Sequence, residues 1–242
     1  MQSLEVLYLD EDIIVVHKQA GISSQAERGG AMDMVCMIKN YLAQKGKKFD
    51  DVFVLHRLDK PVAGVLVYAL NKKAAAKLSE DIKNRKVLKK YYALITALPQ
   101  GLTEEDFDKE YELKDIIAKA GLKNTYKLVK CEEVNSLTGA EKKEAKEAEL
   151  KYKIVKKVEF EGSNLYLVDV ELITGRYHQI RLQFNGAGAP LFGDVKYNQQ
   201  AKEKGERRGV ALCSYKLEFS HPMLNETMRF EIKPKNSIFS IV

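Results

Sequence analysis

The stretch from Val52 to Ala69, "VFVLHRLDKPVAGVLVYA", decides how the rest of the chain reads. An apolar run delivers His56, Arg57 and Asp59 to a turn containing Pro61, and a second apolar run, "GVLVYA", leaves it. Two runs rich in β-branched residues around a proline turn predict a strand, a turn and a strand. A buried strand pair gains nothing from a guanidinium and a carboxylate at its bend, so both are candidates for chemistry. The plain alternative is an aspartate capping a Lys-Pro turn, with the arginine as its solvated neighbour.

Working outward, the flanking segments supply strands and helices in mixed order. Upstream, "EVLYLDEDIIVVHKQAG" predicts two short strands around the acidic turn "DED", and "MDMVCMIKNYLAQKG" places Met34, Ile38 and Leu42 at helical spacing before a glycine C-cap. Downstream, Asn71 caps a helix whose apolar face is Ala75, Leu78 and Ile82, with lysines on the other side. "KKYYALITA" is a strand. "GLTEEDFDKEYELKD" and "NTYKLVKCEEV" read as edge strands or a hairpin insertion, and "GAEKKEAKEAE" as solvated surface. "LKYKIVKKVEFEGSNLYLVDVELITG" predicts a hairpin turning near Gly162, and "GVALCSYKLEFSHP" with "TMRFEIKP" a closing strand pair. The sum is an α+β fold with a largely antiparallel central sheet flanked by helices and loops.

Composition removes several function classes. With 242 residues, 45% hydrophobic and 31% charged, the chain is of ordinary globular type. Its N-terminus has acidic residues where a signal peptide would need a basic region, and no run approaches membrane-spanning length, so a cytoplasmic protein without a membrane partner is expected. The cysteines Cys36, Cys131 and Cys213 stand singly, which argues against a disulfide framework and a Cys-based zinc site. His17, His56, His178 and His221 have no metal-ligand spacing, so no metal is expected. No glycine-rich phosphate loop or nucleophile elbow is present. The net charge of +6 permits an anionic partner. Of eight arginines, Arg57, Arg176 and Arg181 fall in two motifs, "HRLDKP" and "GRYHQIR", where fixed, forked donors would serve a site. In the second motif His178 and Arg181 share a face if a short helix begins there; helix capping and surface charge are its plain reading.

Taken together, "HRLDKPVAGVLVYA", "KKYYALI", "GRYHQIRLQFNGAGAPLFGDVKY" and "VALCSYKLEFSHP" resemble the ordered motifs of the RluA-type pseudouridine synthases, and "LYLDEDIIVVHKQAG" is similar to the family's start. The resemblance implies a pseudouridine synthase-like fold formed by residues 1–242 as one catalytic domain, without the separate N-terminal RNA-binding domain of some relatives. It implies an RNA substrate, ribosomal or transfer, no DNA, no cofactor and a monomer. Residue by residue, it makes Asp59 the catalytic carboxylate, Tyr91 the ring that packs on the uracil, and Arg181 the basic partner of the aspartate. Arg57 would enter the RNA stack as the uridine leaves. Arg176, His178 and Gln179 would contact RNA, and Leu58, Ile180 and Leu212 would wall the pocket. The sequence departs from the family at Val62-Ala63, usually Thr-Ser, at Tyr177, usually Thr, and at Asn198, usually Gly.

Two competitors make different demands. An RNA-binding or RNA-folding module of the same fold would not need a buried carboxylate. A nucleoside hydrolase would need paired carboxylates or a metal-binding acidic cluster, and the acidic "DED" and "TEEDFD" read as surface.

Overall fold

The structure is a computed structural model that describes residues 4–26, 32–120, 125–129, 133–134, 137–234 and 239. In chain order the elements begin with β1 (Glu5–Leu9), β2 (Ile13–Lys18), α1 (Met34–Gln44), β3 (Phe53–Val54), β4 (Ala63–Ala69) and α2 (Lys72–Lys83). Then come β5 (Leu88–Ile95), β6 (Glu110–Lys119), β7 (Tyr126–Val129), α3 (Gly139–Glu144), β8 (Lys146–Phe160) and β9 (Ser163–Leu172). The chain closes with α4 (Gln179–Gly186), α5 (Gln199–Glu203), β10 (Leu212–Ser220) and β11 (Thr227–Glu231). The fold is α+β, as the pattern of strands and helices predicts. No helix among the described residues is long and apolar enough to cross a membrane.

The chain forms two compact units. Unit 1 comprises residues 1–90 and 213–235, and unit 2 comprises 91–212 and 236–242. In unit 1 the strands lie in the order β1, β2, β4, β10, with β11 on β10 and the short β3 on β4. All pairs are antiparallel except β4 with β10, which run parallel through Cys213 opposite Ala63. Every residue of β4 is buried, which explains its unbroken apolar run. Gly64 is required there: a side chain would place its Cβ 2.5 Å from the Cβ and carbonyl oxygen of Ser214 on β10. Ile13, Val15, Val65 and Val67 pack with Ala74 and Leu78 of α2 and with Leu217 and Phe219 of β10. The helix ends follow their caps: Asp33 accepts from Val35 and Cys36, and Asn71 from Ala74. Gly46, at φ +64°, follows α1 as the expected glycine stop.

Unit 2 is a sheet in the order β5, β9, β8, β6, β7. The β8–β9 hairpin turns at Glu161 and Gly162, both with positive φ, as a two-residue hairpin turn demands. One reading needs correction, and one open alternative is decided. The segment "GAEKKEAKEAE" is structure as well as surface: its first half is α3 and its second half opens β8, where Ala148 is buried. β6 is an interior strand between β8 and β7; of the two readings, the hairpin insertion fits, since β6 and β7 pair antiparallel. Residues 124 and 130–132 of "NTYKLVKCEEV", including Cys131, lie outside the described residues.

Candidate functional site

Asp59 sits on the connection between β3 and β4. The predicted strand before it stops at Val54, so residues 55–62 form a loop that carries Arg57 and Asp59. The loop is held from beneath by the segment after β2. Ser24 Oγ donates to the Leu58 carbonyl at 2.8 Å and accepts from the Leu58 N–H at 3.1 Å, while the Tyr68 hydroxyl donates to the Ser24 carbonyl at 2.9 Å. The backbone N–H of Gly21 donates to the Lys60 carbonyl at 2.8 Å. The Val62 N–H donates to the Asp59 carbonyl at 2.9 Å, closing the turn.

Lys18 completes this support. Its side chain is fully buried, and Nζ donates to the carbonyls of Ile22 at 2.7 Å, Gln19 at 3.2 Å and Lys60 at 3.2 Å. Burial pulls its pKa down to about 8, against the opposing attraction of the Asp59 carboxylate. An ammonium bound to three carbonyls next to the turn therefore sets a positive charge near Asp59. His56 Nε2 accepts from the Val67 N–H at 3.3 Å, and burial with the nearby Lys89 charge holds its imidazole neutral, with a pKa near 3. Arg57 is exposed, Leu58 buried and Asp59 half-buried.

In unit 2, the second motif lies at the start of α4. His178 precedes the helix in the left-handed region at φ +52°, uncommon for a residue with a side chain. Arg181 donates Nε and Nη2 to the two oxygens of Asp194, each at 2.7 Å, and its guanidinium lies 5.2 Å from the Tyr197 ring centroid. Tyr197 also meets His178, whose Nδ1 is 2.9 Å from the hydroxyl, so His178 and Arg181 share a face as the spacing predicts. Burial, with Arg181 and Lys196 nearby, lowers the His178 pKa to about 3. The Tyr177 ring stacks on His178 with centroids 3.9 Å apart and meets Tyr126 in a tilted contact at 4.6 Å, so this departure from the family builds an aromatic run into the β6–β7 insertion. Asn198, the other departure in this unit, caps α5 by accepting from Ala201.

Gln179, expected at the RNA, is committed to the interior. Its Oε1 accepts from Thr174 and from the Arg176 N–H, and its Nε2 donates to the Glu149 carbonyl and to Gln183, so neither end of the amide is left for a ligand. Arg176 Nε donates to the Glu147 carbonyl at 2.7 Å. Tyr91, Ile180 and Leu212 are buried in unit 2. The structure thus brings Arg57, Leu58 and Asp59 together on one loop, and Arg176, His178, Gln179, Ile180 and Arg181 together at one helix start. Lys18, Ser24 and Asp194 were not singled out from the sequence; only Asp194 left a signal there, as the aspartate three residues before Tyr197 in "GDVKY".

Among the described residues, Asp10, Asp12 and His221 bring ligand-type atoms within 4.8 Å of one another. Their atoms already have structural work. Asp10 accepts from the N–H groups of Asp12 and Ile13, from the Tyr8 hydroxyl and from His221 Nε2, which fixes the turn between β1 and β2. His221 Nδ1 accepts from the N–H groups of Met223 and Leu224.

Residues 12–186 match the family model described as RNA pseudouridylate synthase. The chain belongs to the RNA pseudouridylate synthase family. A pseudouridine synthase is an isomerase, and this one carries the RluA-type motifs in order. It is 28% identical over 240 residues to tRNA pseudouridine synthase C of Vibrio parahaemolyticus, covering 93% of this synthase and 88% of that one. It is 32% identical over 192 residues to ribosomal large subunit pseudouridine synthase C of Rickettsia bellii, covering 79% and 56% respectively. The fold is that of Human RNA Pseudouridylate Synthase Domain Containing 1, with a TM-score of 0.71 at 20% identity over 96% of this synthase and 84% of that chain.

Proposed function

We propose that this synthase isomerises specific uridines of folded ribosomal or transfer RNA, with Asp59 as the catalytic carboxylate. The observation that carries the assignment is the bracing of the Asp59 turn. Ser24, Gly21 and Lys18 fix the backbone on either side of one carboxylate and set a cation near it, which is the preorganisation a reacting group needs. The reaction breaks the bond between ribose and base nitrogen, turns the uracil and joins the ribose to C5 of the base. It is redox neutral and consumes no water, so it requires no cofactor. An ionised carboxylate at the sugar serves as nucleophile or as base for a sugar proton, and both roles need Asp59 charged.

The roles that the resemblance implies for Tyr91 on the uracil, for Arg181 as the basic partner of the carboxylate, and for Leu58, Ile180 and Leu212 as apolar walls are part of this proposal. Arg57, exposed on the loop, fills the stack vacated by the flipped uridine, a step costing a few kcal/mol. Arg176 and His178 contact the RNA near α4. The synthase works as a monomer in the cytoplasm and does not require DNA. The test is Asp59→Ala and Asp59→Asn: pseudouridine formation disappears while RNA affinity stays within a few-fold, because phosphate contacts dominate binding. Turnover by purified Asp59→Ala would remove Asp59 as the catalytic carboxylate, and only a wild type that forms no pseudouridine would return the protein to the class of RNA-binding modules.

A further inference from the structure

The chain's positive surplus is concentrated in one place. Residues 72–90 hold eight basic side chains and two acidic ones, a surplus of six that equals the net +6 of all 242 residues. The other residues are balanced, 32 basic against 32 acidic. This span is α2, the turn after it and the start of β5. The apolar side of α2 is used in the core of unit 1 through Ala74 and Leu78. The basic side chains therefore face outward: Lys72, Lys73, Lys83, Arg85 and Lys86 are all exposed. Asp81, buried at the helix base, is shared by Lys77 at 3.5 Å and Lys86 at 3.9 Å and cannot neutralise both. Lys89 is buried and takes no part.

A solvated helix face is the ordinary reading of a charge run, and it fails here on placement. The first turn of α2 contains no acidic residue; Lys72 and Lys73 occupy it. Positive charge at a helix N-terminus opposes the helix dipole and destabilises the helix, so these lysines are not there for stability. A local rule broken without gain to the fold marks a functional demand. The position also has the right reach. The seven residues of β4 carry the chain about 20 Å from the Asp59 loop before α2 begins, a separation of several nucleotides rather than of one base.

We propose that the outward face of α2 and the turn after it grip the phosphate backbone of the RNA substrate beyond the target uridine. This rests on the reading of RNA as the substrate and adds to it where the polyanion lies. Lysines on a rigid helix bind phosphates as point charges, without reading bases, so the surface contributes affinity and orientation to any sequence.

The test is a titration of a stem-loop RNA followed by fluorescence anisotropy over a series of salt concentrations. Wild type is compared with the joint change Lys72→Gln, Lys73→Gln, Lys83→Gln and Lys86→Gln, and with a control that replaces the exposed Lys153, Lys156, Lys202 and Lys204 by Gln. Each lost phosphate contact lowers the slope of log Kd against log salt by about 0.7 to 0.9. The α2 set is expected to lower it by about 2 to 3, with affinity about ten-fold weaker, and the control set by less than one contact's worth. Equal effects of the two sets, or an unchanged slope in the α2 set, overturn the proposal. Lys72→Glu with Lys73→Glu separates binding from folding: the dipole makes the helix more stable, yet RNA affinity falls. Unchanged affinity in that double variant also overturns it. Pseudouridine formation by the wild type is read separately, so failure of the enzymatic reading and failure of this surface give different results.

Discussion

Arg181 gives two parallel hydrogen bonds of 2.7 Å to Asp194, and both side chains are almost fully buried. Asp194 in turn accepts from the Lys196 N–H at 3.1 Å, so the same carboxylate fixes the guanidinium and the turn that carries Tyr197. Removing one partner of a buried pair strands the other at a cost of about 3–5 kcal/mol. Asp194→Ala is therefore expected to destabilise the folded protein by about that amount, measured by urea unfolding, and to impair turnover, because Arg181 loses its orientation. Arg181→Met in the same background removes the orphaned charge and restores part of the stability. A double-mutant cycle gives a coupling above about 1 kcal/mol for groups in contact; additive effects would show that the pair contributes nothing as a pair.

Lys18 gives a pH signature. Its ordinary pKa is 10.5 and its folded value is about 8, so between the two the unfolded chain holds the proton that the folded protein has released. Stability therefore gains from this group as pH rises from about 8 towards 10.5, while the turn loses its ammonium and turnover falls. Single-turnover rates and urea unfolding measured on either side of pH 8 should move in opposite directions. Lys18→Arg, which does not release its proton, should lack this descending limb.

Gly64→Ala tests the close approach of β4 and β10. At φ +148° the backbone disfavours any side chain, and the added methyl would meet the backbone nitrogen of Ser214 at 2.7 Å. A loss of at least about 2 kcal/mol is expected in urea unfolding. A stability equal to wild type would show that the two strands separate at no cost.

Arg57→Ala is expected to slow pseudouridine formation on a stem-loop more than on an unstructured oligomer. Only the stem-loop has a stack to refill once the uridine has left. Single-turnover rates on the two RNAs measure this, and equal slowing would remove Arg57 from the flipping step.

Local chemistry made most of the fold legible. The hairpin at Glu161-Gly162, the Asn71 cap and the alternation of β8 and β9 are each written within a few neighbouring residues. The opening of β8 was hidden because "KEAEL" puts the small Ala148 at its first inward position, among residues that favour helices as readily as solvent. The loop around Asp59 was misread as a tight bend because its strand partner stops at Val54, an outcome set by contacts with residues 18–24. Asp59 and Arg181 stood out by their motifs. Lys18 and Ser24 did not, since each acts on backbone carbonyls 42 and 34 residues away, which no local pattern reports. Gln179 belonged to a visible motif, yet its role depends on the Glu149 carbonyl, 30 residues distant.

The division of unit 1 into residues 1–90 and 213–235 has a consequence for biosynthesis. β4 emerges from the ribosome early, but β10, its parallel neighbour, is not made until Tyr91 to Leu212 have been translated. At typical elongation rates that interval is on the order of ten seconds. Throughout it, β3 covers the end of this apolar strand at Tyr68 and Ala69, while its start at Ala63 and Gly64 lacks the neighbour that β10 supplies. The nascent chain must be shielded during that wait, and a ribosome stalled before Cys213 would release a polypeptide with an adhesive strand edge rather than a partly active enzyme.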